Sequence, residues 1–194
     1  MIVLTTRRPE INSRVQTEGT YTTISLATFK EFLKWDADDT SEDTTMTACL
    51  KSAIKQAEAY TRRVIDRATW RTYLDGFNSF TFDVAPADTV SVKYYDVDNT
   101  LQTLSATDYT FKNKGADAYA ELEFDLASSI ELYDRYEPVY VEYSAGYTTY
   151  PSDLQDTILH QAADYFENRT NDLPGSMDQV SFGFHQRLFP YKML

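Results

Sequence analysis

The sequence predicts an α+β fold: a small helical bundle carrying an inserted antiparallel β domain of about six short strands, with extended N- and C-terminal arms. Two observations lead there. Apolar residues recur at helical spacing from Ser25 to Ile65 and again from Ser152 to Phe166. Between those stretches, from Thr69 to about Tyr143, the period changes to two, the signature of strands with one wet face. The organisation is therefore 1–24 as an extended arm, 25–68 as the first helical part, 69–147 as the β domain, 148–170 as the helix completing the helical core, and 171–194 as a tail.

Residues 1–24 are polar, Thr-rich and aperiodic, and Arg7, Arg8 and Arg14 make them mildly basic. Ser25 precedes LATFKEFLKW as an N-cap would, and Leu26, Phe29 and Leu33 form a helical stripe widened by Phe32. The acidic run DADDTSED follows. It lacks the glycine and terminal glutamate of an EF-hand loop, so it reads as a solvated connection rather than a calcium site. The stretch TTMTACLKSAIKQAEAYTRRVI gives the strongest helix, with Met46, Leu50, Ala53, Ile54, Ala57 and Val64 on one face.

The strand candidates are WRTYLDGF, FTFDV, TVSVKYYD, LQTLSATDYTFKN, YAELEFD and PVYVEY, with DVDNT as a hairpin turn. A small sandwich or open barrel is the expected product. Gly146 then ends the last strand. Pro151, Ser152 and Gln155 give a capping-box pattern, and Leu154, Ile158, Ala162 and Phe166 recur every four residues. That face needs an apolar partner, and the stripe of the 44–65 helix, through Leu50, Ile54, Ala57 and Val64, is the one available.

The tail breaks at Pro174 and Gly175. The fifteen residues from Val180 to Leu194 contain no acid, in a chain with 30 acids and 18 bases. Phe182, Phe184, Leu188, Phe189, Tyr191 and Leu194 make that segment apolar. A free tail of this kind would be unfavourable in water, so it either folds back on its own domain or docks on another molecule; the Pro-Gly break favours docking.

Composition bounds the function. The chain has 194 residues, 42% of them hydrophobic, and a net charge of −12. That balance lacks the basic footprint of a nucleic-acid binder and repels phosphate. Fifteen Tyr provide apolar bodies with polar tips, suited to contact surfaces. Cys49 is the sole cysteine, so no disulfide forms within the chain. The opening MIVLTTRRPE has too short an apolar run for a signal peptide core, and no run reaches the length of a membrane span. The expectation is a soluble protein made in a cytoplasm.

Catalytic chemistry is missing from the pattern. There are two His, His160 and His185, too few with one Cys for a zinc set. Neither a glycine-rich phosphate loop nor a G-x-S-x-G elbow occurs. The expectation is a non-enzyme without cofactor or metal.

The order of parts carries a resemblance. AIKQAEAYTRRVIDRATWRTYLDGF at 53–77, SVKYYDVDNTLQTLSATDYTF at 91–111 and VYVEYSAGYTTYPSDLQDTILHQAADYFENR at 139–169 together resemble the head–tail connector proteins, or adaptors, of long-tailed bacteriophages and related gene transfer agents. The matching motif positions are Tyr143, Ala145, Gly146, Tyr147, Pro151, Glu167, Asn168 and Arg169. The resemblance implies a structural virion protein. It implies a homo-oligomeric ring of twelve subunits under the portal protein, a DNA channel through which DNA passes without specific binding, and a platform for a stopper or tail-side neck protein. It also implies that a terminal segment embraces the portal, here Phe182, Phe184, Leu188, Phe189, Tyr191 and Leu194. A carbohydrate-binding or adhesin-like module of a phage is the alternative, since exposed aromatics on strands can stack on sugars. A neighbouring neck protein such as a stopper would be dominated by strands.

Overall fold

The computed structural model describes residues 12–17, 24–115, 118–126, 129–168 and 177–193. The described residues form four α-helices and two antiparallel sheets, with no closed barrel among them. The chain divides into two compact units, Met1–Glu18 with Ala68–Ala145 and Gly19–Arg67 with Gly146–Leu194. The β unit thus takes one strand from the N-terminal segment as well as those of the insert.

In the helical unit, α1 (Leu26–Leu33) is capped by Ser25, whose Oγ accepts from the Thr28 N–H at 3.0 Å. The acidic connection that follows is organised rather than merely solvated. Lys30 is buried, and its ammonium reaches Asp43 Oδ1 at 2.6 Å and the Asp39 carbonyl at 2.7 Å. Next comes α2 (Asp43–Thr61), which stops four residues before Ile65, the end its apolar pattern predicts. Arg62 adopts the left-handed conformation, and Glu58 Oε1 accepts from the N–H groups of Ile65 and Asp66 at 2.8 and 3.0 Å. A side chain from within the helix thereby replaces the next helical turn as hydrogen-bond partner. Val64 is consequently half-buried and off the helix, and Ile65 is the core residue there.

The partner helix α3 (Ser152–Glu167) packs on α2, with Leu154, Ile158 and Ala162 buried, like Leu50, Ile54 and Ala57 across from them. Phe166 is half-buried and stands edge-on to Trp35, ring centroids 5.8 Å apart. The capping box does not form. Pro151 occupies the cap position, so Ser152 is already the first helical residue and makes no cap bond. The tail, expected as an extended arm, is instead helical over its described residues, α4 (Met177–Leu188), followed by a 3₁₀ turn at Phe189–Tyr191, because Phe184 and Leu188 bury one face on α3 and α2.

In the β unit, a five-stranded sheet runs in the order β1 (Asn12–Thr17), β2 (Ala68–Leu74), β8 (Val139–Ala145), β4 (Ala87–Tyr95), β5 (Leu101–Thr103). A three-stranded sheet runs β3 (Phe80–Thr81), β7 (Glu121–Phe124), β6 (Tyr109–Lys112). The N-terminal segment is thus extended as expected, but its residues 12–17 are paired, with Ser13 opposite Thr72 and Arg14 opposite Arg71. Alternation along β8 puts Val139, Val141, Tyr143 and Ala145 inward. Tyr143 meets Phe82 edge-on at 4.6 Å, and Phe82 meets Phe111 at 5.7 Å, so the two sheets share an aromatic core. Burying rings of this size contributes roughly 2–3 kcal/mol each.

Candidate assembly surfaces

The tail shows how its residues divide between core and surface. Phe184 and Leu188 lie one helical turn apart on α4, and both are buried where α4 packs on α3 and α2. The end of the chain is strapped down by polar contacts. The Met193 N–H donates to the Thr61 carbonyl at 2.8 Å. Arg63, only 4% exposed, donates from Nε to the Tyr191 carbonyl and from Nη1 to the Tyr147 hydroxyl at 3.0 Å. The Tyr191 hydroxyl donates to Asp153 on α3, a bond that holds the Asp153 carboxyl below its ordinary range. Of the predicted docking residues, Phe189 remains on the surface, 67% exposed. Leu194 and the Phe182 side chain lie outside the described residues, as do Arg7, Arg8 and Arg169.

The motif residues fall at the end of β8 and the start of α3. Gly146 has φ +114°, and a Cβ there would stand 2.6 Å from Arg67 Cα. The Tyr147 N–H donates to the Ile65 carbonyl at 3.2 Å, fixing the same approach. Glu167 and Asn168 close α3 on the surface. The described ones among these positions build the scaffold.

The five-stranded sheet has a polar face centred on Glu142. Its carboxylate accepts from Arg71 on β2 at 2.8 Å and from Lys93 on β4 at 3.5 Å. The Arg71 guanidinium also lies over the Tyr140 ring, 4.8 Å from its centroid. On the other face Tyr143 is buried, and burial pushes its hydroxyl up to about 12.

Both histidines make ring contacts with neighbouring aromatics. His185 stacks on Tyr60 at 4.5 Å, and His160 meets Phe32 edge-on at 5.0 Å. Among the described residues no group of His, Cys, Asp and Glu is placed to hold a metal ion, and no helix is long and apolar enough to cross a membrane. A shallow groove between α3 and α4, lined by Thr157, His160, Gln161, Asp164, Phe184 and Arg187, contains no nucleophile–base pair.

No protein-family model matches the chain, and no curated protein matches it. Solved structures do. A chain in the neck of an empty GTA particle, computed with C6 symmetry, aligns with a TM-score of 0.73 at 21% identity, over 94% of this chain and 96% of that one. A chain from the virion of a native gene transfer agent particle aligns at 0.70 with 20% identity, over 94% and 95%. A chain in the neck of a native GTA particle, computed with C12 symmetry, aligns at 0.68 with 19% identity, over 94% and 96%. Over 94% of this chain the fold is therefore shared with chains found in such particles.

Proposed function

We propose that this protein is a structural, non-enzymatic component of a virion neck: a head–tail connector. On this reading twelve copies form a ring beneath the portal protein, extend the DNA channel and give stopper or tail-side proteins their seat. The observation that carries the reading is the length of the structural match, 94% of this chain against 96% of a neck chain, which includes both units rather than one common module. The net charge of −12 agrees with a tube that DNA must slide through, because an acidic wall releases no counterions and holds no phosphate. A head-to-tail ring needs two different patches per subunit.

The tail is the proposed portal anchor. Phe189 and the neighbouring Lys192 stand at the surface, while Phe184 and Leu188 are buried. Docking through Phe189 needs no rearrangement. Docking through Phe184, Leu188 and Tyr191 as well requires the strap at Arg63 to open first. The test is addition of a ring to the purified portal of the same particle, imaged for the full chain and for Phe189→Glu. A ring with the full chain and none with the variant supports both the connector reading and the anchor. A ring with both leaves the connector and removes Phe189 from the contact. No ring with either overturns the reading.

A further inference from the structure

Six large apolar side chains are exposed among the described residues, and four of them, Val97, Leu101, Tyr133 and Tyr136, belong to one end of the five-stranded sheet. This is the end away from the Ala68–Ala145 pair. The segments that carry them are tied together. Asp96 bridges to Leu132, the Tyr133 N–H donates to the Tyr95 carbonyl at 3.1 Å, and Tyr95 pairs with Leu101. The hairpin turn is braced by Asp96, whose carboxylate accepts from the N–H groups of Asp98 and Thr100 and from the Gln102 amide. Arg135 lies over the Tyr95 ring at 4.0 Å, and Arg14 reaches Glu137 at 3.5 Å. Tyr136, 76% exposed, is therefore held out by an ordered frame.

Acidic charge predominates at this end. Arg14 is paired with Glu137 and Arg135 keeps its charge over the Tyr95 ring, against four exposed carboxylates, Asp75, Asp98, Glu131 and Asp134, that have no ion-pair partner among the described residues. Apolar and aromatic side chains accompanied by an excess of exposed acids match a protein surface with an apolar centre and an arginine or lysine rim. A second copy of this chain, itself at −12, is the poorer match.

We infer that this end of the β unit is a docking surface for a different, basic protein. It rests on the connector reading and assigns the contact with the next neck component to Val97, Leu101, Tyr133 and Tyr136, leaving the portal to the tail. The aromatic anchors supply the buried centre and the acids select the partner and speed its arrival.

The test places the photo-crosslinker p-benzoylphenylalanine at Tyr136 in whole assembled particles, with the cross-linked peptides identified by mass spectrometry. Cross-linking to another virion protein, at a peptide bearing Arg or Lys, is the expected result, and Asp98→Lys with Asp134→Lys should reduce it at least tenfold. Cross-linking to this chain instead overturns the inference and makes the patch an interface between copies. Particles that contain the chain but give no cross-link overturn it as well. Absence of the chain from the particles overturns the connector reading itself, which keeps the two failures apart.

Discussion

Gly146 and Arg67 approach so closely that a single added carbon would put 2.6 Å between them, well inside contact distance. Gly146 also holds φ +114°, a conformation that side chains rarely adopt. Gly146→Ala therefore meets backbone atoms that cannot rotate away, and strain on φ adds to the clash. We expect a loss of about 3 kcal/mol or more, read as a lowered midpoint in chemical denaturation. A variant within ~0.5 kcal/mol of the parent would show that the two segments separate at little cost.

The strap predicts how the tail behaves. Arg63→Met keeps the apolar stem but removes the bonds to the Tyr191 carbonyl and the Tyr147 hydroxyl. Each such charge-assisted bond stabilises by about 1.5–3 kcal/mol. Hydrogen exchange over 184–193 should then speed up at least ~10-fold while the amides of β8 keep their rates. Equal acceleration in both regions would mean that Arg63 supports the whole fold rather than the tail.

Glu58 gives the pH dependence. Burial raises its pKa, and the nearby Asp66 charge adds to this, although the N–H groups of Asp66 and Ile65 pull the other way. The folded protein therefore holds this proton more tightly than the unfolded chain. The stabilising contribution is complete below the ordinary glutamate value of 4.5 and fades as pH rises through the raised value. Glu58→Gln retains a carbonyl oxygen for the two N–H groups and should flatten this part of the stability profile. Glu58→Ala orphans both donors and should cost about 1–3 kcal/mol at every pH. An unchanged profile in the Gln variant would show that the carboxylate is not the titrating group.

On the polar face, Glu142 links β2 and β4 through Arg71 and Lys93. All three are part-exposed, so a double-mutant cycle of Arg71→Met with Glu142→Gln should give a coupling of only about 0.5–1 kcal/mol, weaker in high salt. A coupling that salt does not weaken would place the pair in a drier environment than its exposure indicates.

Local patterns carried much of this fold. Period-four spacing located α3, and period-two spacing located β8, because both record burial on one face. What the sequence hid was decided by distant partners. The apolar pattern from Met46 to Val64 continues past Thr61, yet the helix ends where Arg62 turns left-handed and Glu58 captures the amides of Ile65 and Asp66. Ser13 and Arg14 sit in a polar stretch with no period, and their strand exists because β2 offers an edge. The tail's apolar character was legible, but its helix was not: 171–194 reads as an extended arm, and α4 occupies Met177–Leu188. The four-residue interval between Phe184 and Leu188 fits one helix face, but which surface it covers depends on α3. The exposed residues at the far end of the sheet left no periodic trace, since Tyr133 and Tyr136 lie in a loop whose shape comes from Tyr95 and Asp96.

The pairing of Ala68 with Ala145 bears on the order in which the chain folds. Once β2 and β8 have zipped, the whole insert becomes a closed loop whose two ends are neighbours. Residues of α2 and α3, far apart in sequence, are then effectively close, and most of the chain entropy that would slow their meeting has already been lost. The β unit should thus act as a kinetic clamp: mutations in the β2–β8 ladder slow the docking of α3 on α2.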